Sequence, residues 1–407
     1  MNIMRRIMSA ACVVFAALFT AGASAEDLSE YKTIDATVRD LALIWQGGEH
    51  RIKWTQKEFE PYVTHKFADG REEWIFDGYL FLDACTNYID GRWFDNIPNT
   101  ERSTKADYIW YLDRLFKEDR ALDALDKAIG EKKKILGDPG FKHKVALTCF
   151  EPIQGQKDWG ELNGRALDFS KPQDRFDAEA WLIDEYVTRF NAAGYENIEL
   201  YGIYMLTEDI NGIESFTRKI APHIKKYGLD FLWIPYFRAK GVETWAAQKF
   251  TTVYMQPNHY TQPSIPDSRL DEAVSIARRL KIGLEFEFDD LSLSQRSPNL
   301  RSRMIAYMDK FEKLGVWYDM PVAHYSGYNA FLDMYRHPSD ENAEVMDRLC
   351  QYIVNRKEKA LEGGAVIEVS AGNVAPVYYN LQGFRVENPE GGIFIEKRGD
   401  IVRKVLK

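Results

Sequence analysis

Eight short β-rich runs, each followed by an amphipathic helical stretch or a long loop, leave few folds open to this chain. They fall at Leu41–Gln46, Trp74–Leu82, His143–Phe150, Glu199–Leu206, Phe231–Tyr236, Thr252–Gln256, Gly283–Phe288 and Tyr318–Ala323. Between them, Ala180, Ile183, Val187 and Phe190 form one apolar helical stripe. Leu270, Ala273, Val274 and Ala277 form another, behind a Ser268-x-x-Asp271 capping signal. Gly194, Gly228 and Gly315 end helices just ahead of the next strand. This alternation predicts an α/β chain closed into a (β/α)₈ TIM barrel. An open doubly wound sheet would begin with a glycine-rich phosphate turn, which Gln46-Gly47-Gly48-Glu49 is not.

The two ends read differently. Arg5 and Arg6, an apolar run from Ala10 to Ala21 and the small residues Ala23-Ser24-Ala25 predict a signal peptide over residues 1–25. No other apolar run is long enough to span a bilayer, so stable membrane insertion is not expected and the product is exported, periplasmic or extracellular. The barrel is assigned to residues 26–359. Residues 360–407 turn to short β-like runs at Val366–Val369, Val377–Leu381, Phe384–Glu387 and Gly392–Glu396, a small C-terminal β unit. Cys85, Cys149 and Cys350, left after the signal, show neither a zinc spacing nor a disulfide framework and read as buried small side chains.

The partner is narrowed by composition. A net charge of −9 argues against nucleic acid, which asks for a basic face. An aromatic share of 14% suits a groove that stacks flat, uncharged ligands such as sugars.

The most informative run is Gly283-Leu284-Glu285-Phe286-Glu287-Phe288-Asp289. Successive strand residues point to opposite faces, so the apolar Leu284, Phe286 and Phe288 meet the helices while Glu285, Glu287 and Asp289 turn to the lumen. Acids crowded on a buried face are costly unless paired or protonated, and folds carry that cost mostly at working sites. A further acid, Glu208, follows the fourth strand. Carboxylates after strands four and seven face each other across a barrel mouth. That is the arrangement of a retaining glycosidase, in which one carboxyl protonates the leaving oxygen and the other attacks the anomeric carbon.

Groups suited to holding hydroxyls sit at the other strand ends: Trp45, Glu151, Tyr204, Tyr236, Gln256, Asn258, Tyr260 and Tyr325, with Glu285 below the reacting pair. Rival chemistries lack their motifs. There is no G-x-S-x-G elbow and no H-E-x-x-H, and the seven histidines show no close pair, so no metal and no cofactor is called for. Glu285, Glu287, Asp289 and Asp290 offer oxygen ligands that could hold Ca²⁺, but a strand spreads its ligands along a line instead of wrapping an ion.

The segments Tyr201-Gly202-Ile203-Tyr204 with Glu208, Phe231-Leu232-Trp233-Ile234-Pro235-Tyr236-Phe237 and Tyr254-Met255-Gln256-Pro257-Asn258 resemble a secreted bacterial family, domain of unknown function 4855, over roughly residues 35–350. The resemblance implies a glycoside-hydrolase-like barrel found among polysaccharide-degrading bacteria. The carboxylate positions also resemble the large clan of retaining glycosidases with acids on strands four and seven. That clan usually places Asn before the first acid, where this chain has Thr207.

The expectation is therefore an exported glycosidase acting on a polysaccharide or oligosaccharide. Glu208 is its acid/base and Glu287 its nucleophile, held ionised by donors from Tyr236, Tyr325 or Asn258. Glu285 is the fallback nucleophile. The alternative is a non-catalytic glycan-binding barrel of a polysaccharide-utilisation system. Sugar, linkage and oligomeric state have no signature in the sequence.

Overall fold

The computed structural model describes residues 37–86, 91–94, 101–361, 377–379, 385–386, 393–398 and 401–406. The expected signal segment and Val366–Val369 lie outside the described residues. Eight parallel strands close into a barrel: β1 (Asp40–Trp45), β2 (Gly78–Leu82), β3 (His143–Cys149), β4 (Ile198–Met205), β5 (Asp230–Trp233), β6 (Thr252–Met255), β7 (Gly283–Phe288) and β8 (Val322–Ser326). Each pairs with its chain neighbours, and β1 pairs with β8 through Leu41 opposite Ala323. The helices around it are α1 (Gln56–Val63), α2 (Lys105–Leu115), α3 (Ala121–Leu136), α4 (Pro172–Ala193), α5 (Glu214–Lys225), α6 (Ser268–Leu280), α7 (Arg301–Lys313), α8 (Val316–Asp319), α9 (Ala330–Arg336) and α10 (Asp340–Leu361). The crossover from β5 to β6 uses a 3₁₀ segment, Val242–Gln248, in place of an α-helix. This is the (β/α)₈ TIM barrel that the alternation predicted.

Two strands differ from their sequence assignment. Trp74 belongs not to β2 but to a short antiparallel pair, Thr64–Lys66 with Glu72–Trp74. Asp77 separates the two by accepting the N–H groups of Arg39 and Asp40 at 3.1 and 2.8 Å. The run read as the eighth strand opens with the helical turn α8, which follows Gly315 at φ 76° and ends before Pro321. Its aromatic content had suggested a strand, but Trp317 is buried against Phe286 and Phe311, at 5.6 and 5.5 Å. The true β8 begins at Val322, which places Tyr325 inside the strand, opposite Glu287.

In α4, Ala180, Ile183 and Phe190 are buried as expected, yet Val187 lies at the edge of the stripe and Tyr186 takes its place. Glu179, an acid, is wholly buried in the same stripe. The apolar stripe of α6 is as read, but Asp271 is no cap: it pairs with Lys310 at 2.6 Å. The three cysteines are buried free thiols. On the outer wall, Asp40 of β1 meets His324 of β8 and Arg356 of α10, each at 2.9 Å, so the last helix is tied across the closure seam. In the tail, β9 (Val377–Tyr379), β10 (Arg385–Val386), β11 (Ile393–Arg398) and β12 (Ile401–Leu406) make an antiparallel sheet in the order β10-β9-β11-β12. Its last strand was not read from the sequence, because Arg403 and Lys404 interrupt the apolar run.

Gly283 starts β7 because nothing larger fits there. A Cβ would lie 2.6 Å from the Pro321 carbonyl oxygen and 2.8 Å from the Tyr254 ring. Since the nearest atom is backbone, Gly283→Ala is expected to destabilise the fold by about 2 kcal/mol. Denaturant unfolding at unchanged m would measure this.

Candidate active site

Alternation along β7 does what the sequence demanded. Phe286 points outward into a ring cluster with Tyr307, Phe311 and Trp317, with centroids 5.6–6.1 Å apart. Glu285 and Glu287 take the opposite face and are only 3% and 5% exposed. Burial pushes the Glu285 carboxyl well above the ordinary carboxylate range, and the neighbouring charges of Glu287 and Glu208 push it the same way. Burial also raises Glu287, to about 7, although several donors hold it down. Glu208, beyond β4, acts electrostatically on both. The structure thus brings the three predicted acids together.

The donors to Glu287 are not the expected side chains. They are the Tyr307 hydroxyl from α7 and the backbone N–H groups of Asn258 and His259. Asn258 adopts a left-handed conformation, φ 49°, one of the few available to a non-glycine residue without large strain. Such a turn can aim successive N–H groups at one anion. The Asn258 side chain works elsewhere. Its Oδ1 accepts the Phe237 N–H at 2.6 Å, and its Nδ2 donates to Gln256 Oε1 at 2.8 Å. Gln256, 7% exposed, in turn donates from Nε2 to Glu208 Oε1 at 2.7 Å. The three residues Gln256-Pro257-Asn258 therefore serve both carboxylates, one through a side-chain relay and the other through the backbone.

Around this centre the remaining predicted residues divide. Tyr236 is an exposed rim aromatic whose hydroxyl donates to Asp209. Tyr325 stands opposite Glu287 on β8, and burial together with nearby Tyr328, Glu285, Asp289 and Glu208 raises its phenol. Tyr204 is nearly buried on β4, in register with Thr148 and Leu232. Trp45, half-buried, meets the exposed Tyr328 edge-on at 5.4 Å. The Arg51 guanidinium lies between them, 4.3 and 3.9 Å from the two ring centres, and is anchored to Asp83 at 2.9 Å. Glu151 is 7% exposed and is held by Arg175 at 3.3 Å and by the Thr207 hydroxyl at 3.0 Å, so it fixes the residue just before Glu208. Tyr260 corrects the reading: it is fully buried, and its hydroxyl donates to Asp289 at 3.0 Å. Asp289 caps the short helix after β7 by accepting the Leu291 N–H, so it leaves the lumen row.

Sequence reading missed Tyr307, Arg51, Asp83 and Tyr328. Tyr307 lies in the apolar stripe Met304, Tyr307, Met308, Phe311, where it looks like any core aromatic. Arg51 and Asp83 lie in loops without periodicity.

Two carboxyl groups, one beside amide donors and one inside a cradle of N–H and O–H groups, can divide proton donation from nucleophilic attack. A third, Glu285, is pushed toward its protonated form, in which it can itself donate a hydrogen bond. Among the described residues, no group of three or more His, Cys, Asp or Glu is arranged to hold a metal ion. No helix among them is long and apolar enough to cross a membrane.

The sequence model of the family described as "Domain of unknown function (DUF4855)" matches residues 40–351. No curated protein matches the chain. Solved structures with a similar barrel include the tryptophan synthase complex of Pyrococcus furiosus, with 10% identity, TM-score 0.37, 80% of this chain and 99% of that one covered. A family 18 chitinase from Crocus vernus matches at 12% identity and TM-score 0.38, over 75% of this chain and 99% of its own. Methylaspartate ammonia lyase from Clostridium tetanomorphum matches at 11% identity and TM-score 0.39, over 80% and 61%. Likenesses this distant say nothing of chemistry.

Proposed function

We propose that this chain, which belongs to the DUF4855 family, is an exported glycoside hydrolase that cleaves a polysaccharide or oligosaccharide with retention of configuration. The observation that carries the reading is the Gln256–Asn258 turn, which holds Glu208 by a side-chain amide and Glu287 by backbone N–H groups. In this mechanism Glu287 attacks the anomeric carbon while Glu208 gives its proton to the departing glycosidic oxygen. Glu208 then takes a proton from water, whose oxygen displaces Glu287 from the sugar. The exposed rings of Tyr236 and Tyr328 offer stacking faces to the sugar on the rim.

The test starts with the purified protein on a panel of plant, algal and microbial polysaccharides. On an active substrate, Glu208→Gln should lower kcat by about 10²-fold where the leaving group is poor and much less where it is good. Added azide should restore part of the loss, because a small anion needs no general base. If the parent, Glu208→Gln and Glu287→Gln bind a glycan equally and none turns it over, the protein is a glycan-binding barrel and the enzymatic reading falls.

A further inference from the structure

The cradle of Glu287 is built by a loop with little structure of its own. Residues 257–265 leave β6 without helix or strand, yet they present the left-handed Asn258 and the N–H groups that reach Glu287. One side chain gathers that loop. From the first turns of α7, Arg303 donates Nε to the carbonyl of Tyr260 at 3.1 Å, and Nη2 to those of His259, Gln262 and Ile265, the last two at 3.1 and 2.9 Å. Its Nη1 reaches the Pro263 carbonyl at 3.5 Å. A guanidinium is the only side chain with enough donors, in a fixed fork, for that many carbonyls. One helical turn on, Tyr307 stands over the same loop, its ring 5.3 Å from that of His259, and its hydroxyl donates to Glu287.

We infer that Arg303 is a positioning residue: by holding the carbonyls of 259–265 it turns the Asn258 and His259 N–H groups onto Glu287, and so makes Glu287, not Glu285, the acid of β7 that ionises. The Tyr307 hydroxyl also favours charged Glu287, but the other charged and titratable groups around it do not make that choice. Glu208 beyond β4 raises both acids, and the charge of Glu287 raises Glu285 further. Tyr325 of β8 stays neutral opposite Glu287. Arg269 of α6 also feels the charge of Glu287, but it packs over Phe237 at 3.9 Å and donates to the Pro257 carbonyl at 3.3 Å. His259 is turned away, its Nε2 2.8 Å from Asp267. The inference rests on Glu287 as the nucleophile of the proposed reaction, but its test needs no turnover.

The experiment follows carboxyl ¹³C shifts of the full chain carrying labelled glutamate from pH 4 to 10, with signals assigned through Glu287→Gln and Glu285→Gln. In the parent, Glu287 should titrate below Glu285. Arg303→Met and Arg303→Lys should each raise the Glu287 midpoint by about one pH unit, because weakened bonds to the charged form destabilise it. Lysine keeps the charge and loses the fork, so a lysine variant that titrates like the parent would show that charge alone acts, overturning the inference. No shift in either variant would overturn it too. Should both fail to fold, Asn258→Gly keeps the left-handed turn while Asn258→Val disfavours it. A higher Glu287 midpoint in the valine variant supports the inference, and equal midpoints overturn it. If the shifts are found but no glycan is cleaved, the role of Arg303 stands and the glycosidase reading falls.

Discussion

Glu287→Gln is expected to lower kcat/KM by about 10⁴-fold or more on every substrate the protein cleaves, because an amide cannot form the covalent intermediate. Good leaving groups should not soften this loss, which separates Glu287 from Glu208. The parent's pH profile should carry the same signature. Only ionised Glu287 attacks, and its pKa is raised to about 7, first by burial. kcat/KM should therefore fall about tenfold for each pH unit below 7, since this parameter reports the free enzyme. Initial rates of parent and variant on one active glycan, from pH 5 to 9, would check both statements. A Glu287→Gln enzyme that keeps most of its activity while Glu285→Gln is dead would move the nucleophile one pleat down the strand.

Glu179→Gln is expected to stabilise the protein above neutral pH. Glu179 lies wholly buried in the stripe of α4. Burial raises its pKa to about 8, eased somewhat by the Cys149 thiol and the Phe150 N–H. In the unfolded chain the same group titrates near the ordinary glutamate value of about 4.3. Between these two values the folded state holds a proton that the unfolded state has lost, so stability falls as pH rises through that window and is unaffected below it. Near pH 7 the cost is about 4 kcal/mol, at about 1.4 kcal/mol per pH unit. Glutamine keeps the shape and removes the titration. The variant should match the parent near pH 4 and exceed its Tm by about 5 °C at pH 7. Thermal unfolding at both pH values measures it, and a Tm difference that does not change with pH would refute the account.

Much of this architecture is legible in the amino-acid sequence. A strand's side-chain period of two is a local property of the backbone, so Leu284, Phe286 and Phe288 could be sorted from Glu285 and Glu287 by counting. Apolar stripes at helical spacing likewise revealed the helices, and eight repeats of the pair left a closed barrel as the economical way to bury them. The same local logic failed where tertiary packing overruled pattern. Val316–Asp319 has strand-like residues but winds into a turn because Trp317 fills the space beside Phe286. Val187 fits the stripe of α4 on a helical wheel, yet the neighbouring strands bury Tyr186 and Glu179 instead.

The candidate site divides along the same line. The sequence by itself determined which acids face the lumen and that Glu208 follows the fourth strand, because both statements depend only on alternation and chain order. Only the tertiary structure decided who supports them. Tyr307 stands 20 residues from Glu287, and Gln256 stands 48 residues from Glu208. Asn258 donates because its backbone turns left-handed, which no side-chain pattern encodes. Tyr260, in the same loop and equally polar on paper, is turned inward to Asp289. Periodicity reports which face a residue takes on its own element. Which distant groups meet there depends on barrel closure and the register between strands, and both follow from packing summed over the whole chain.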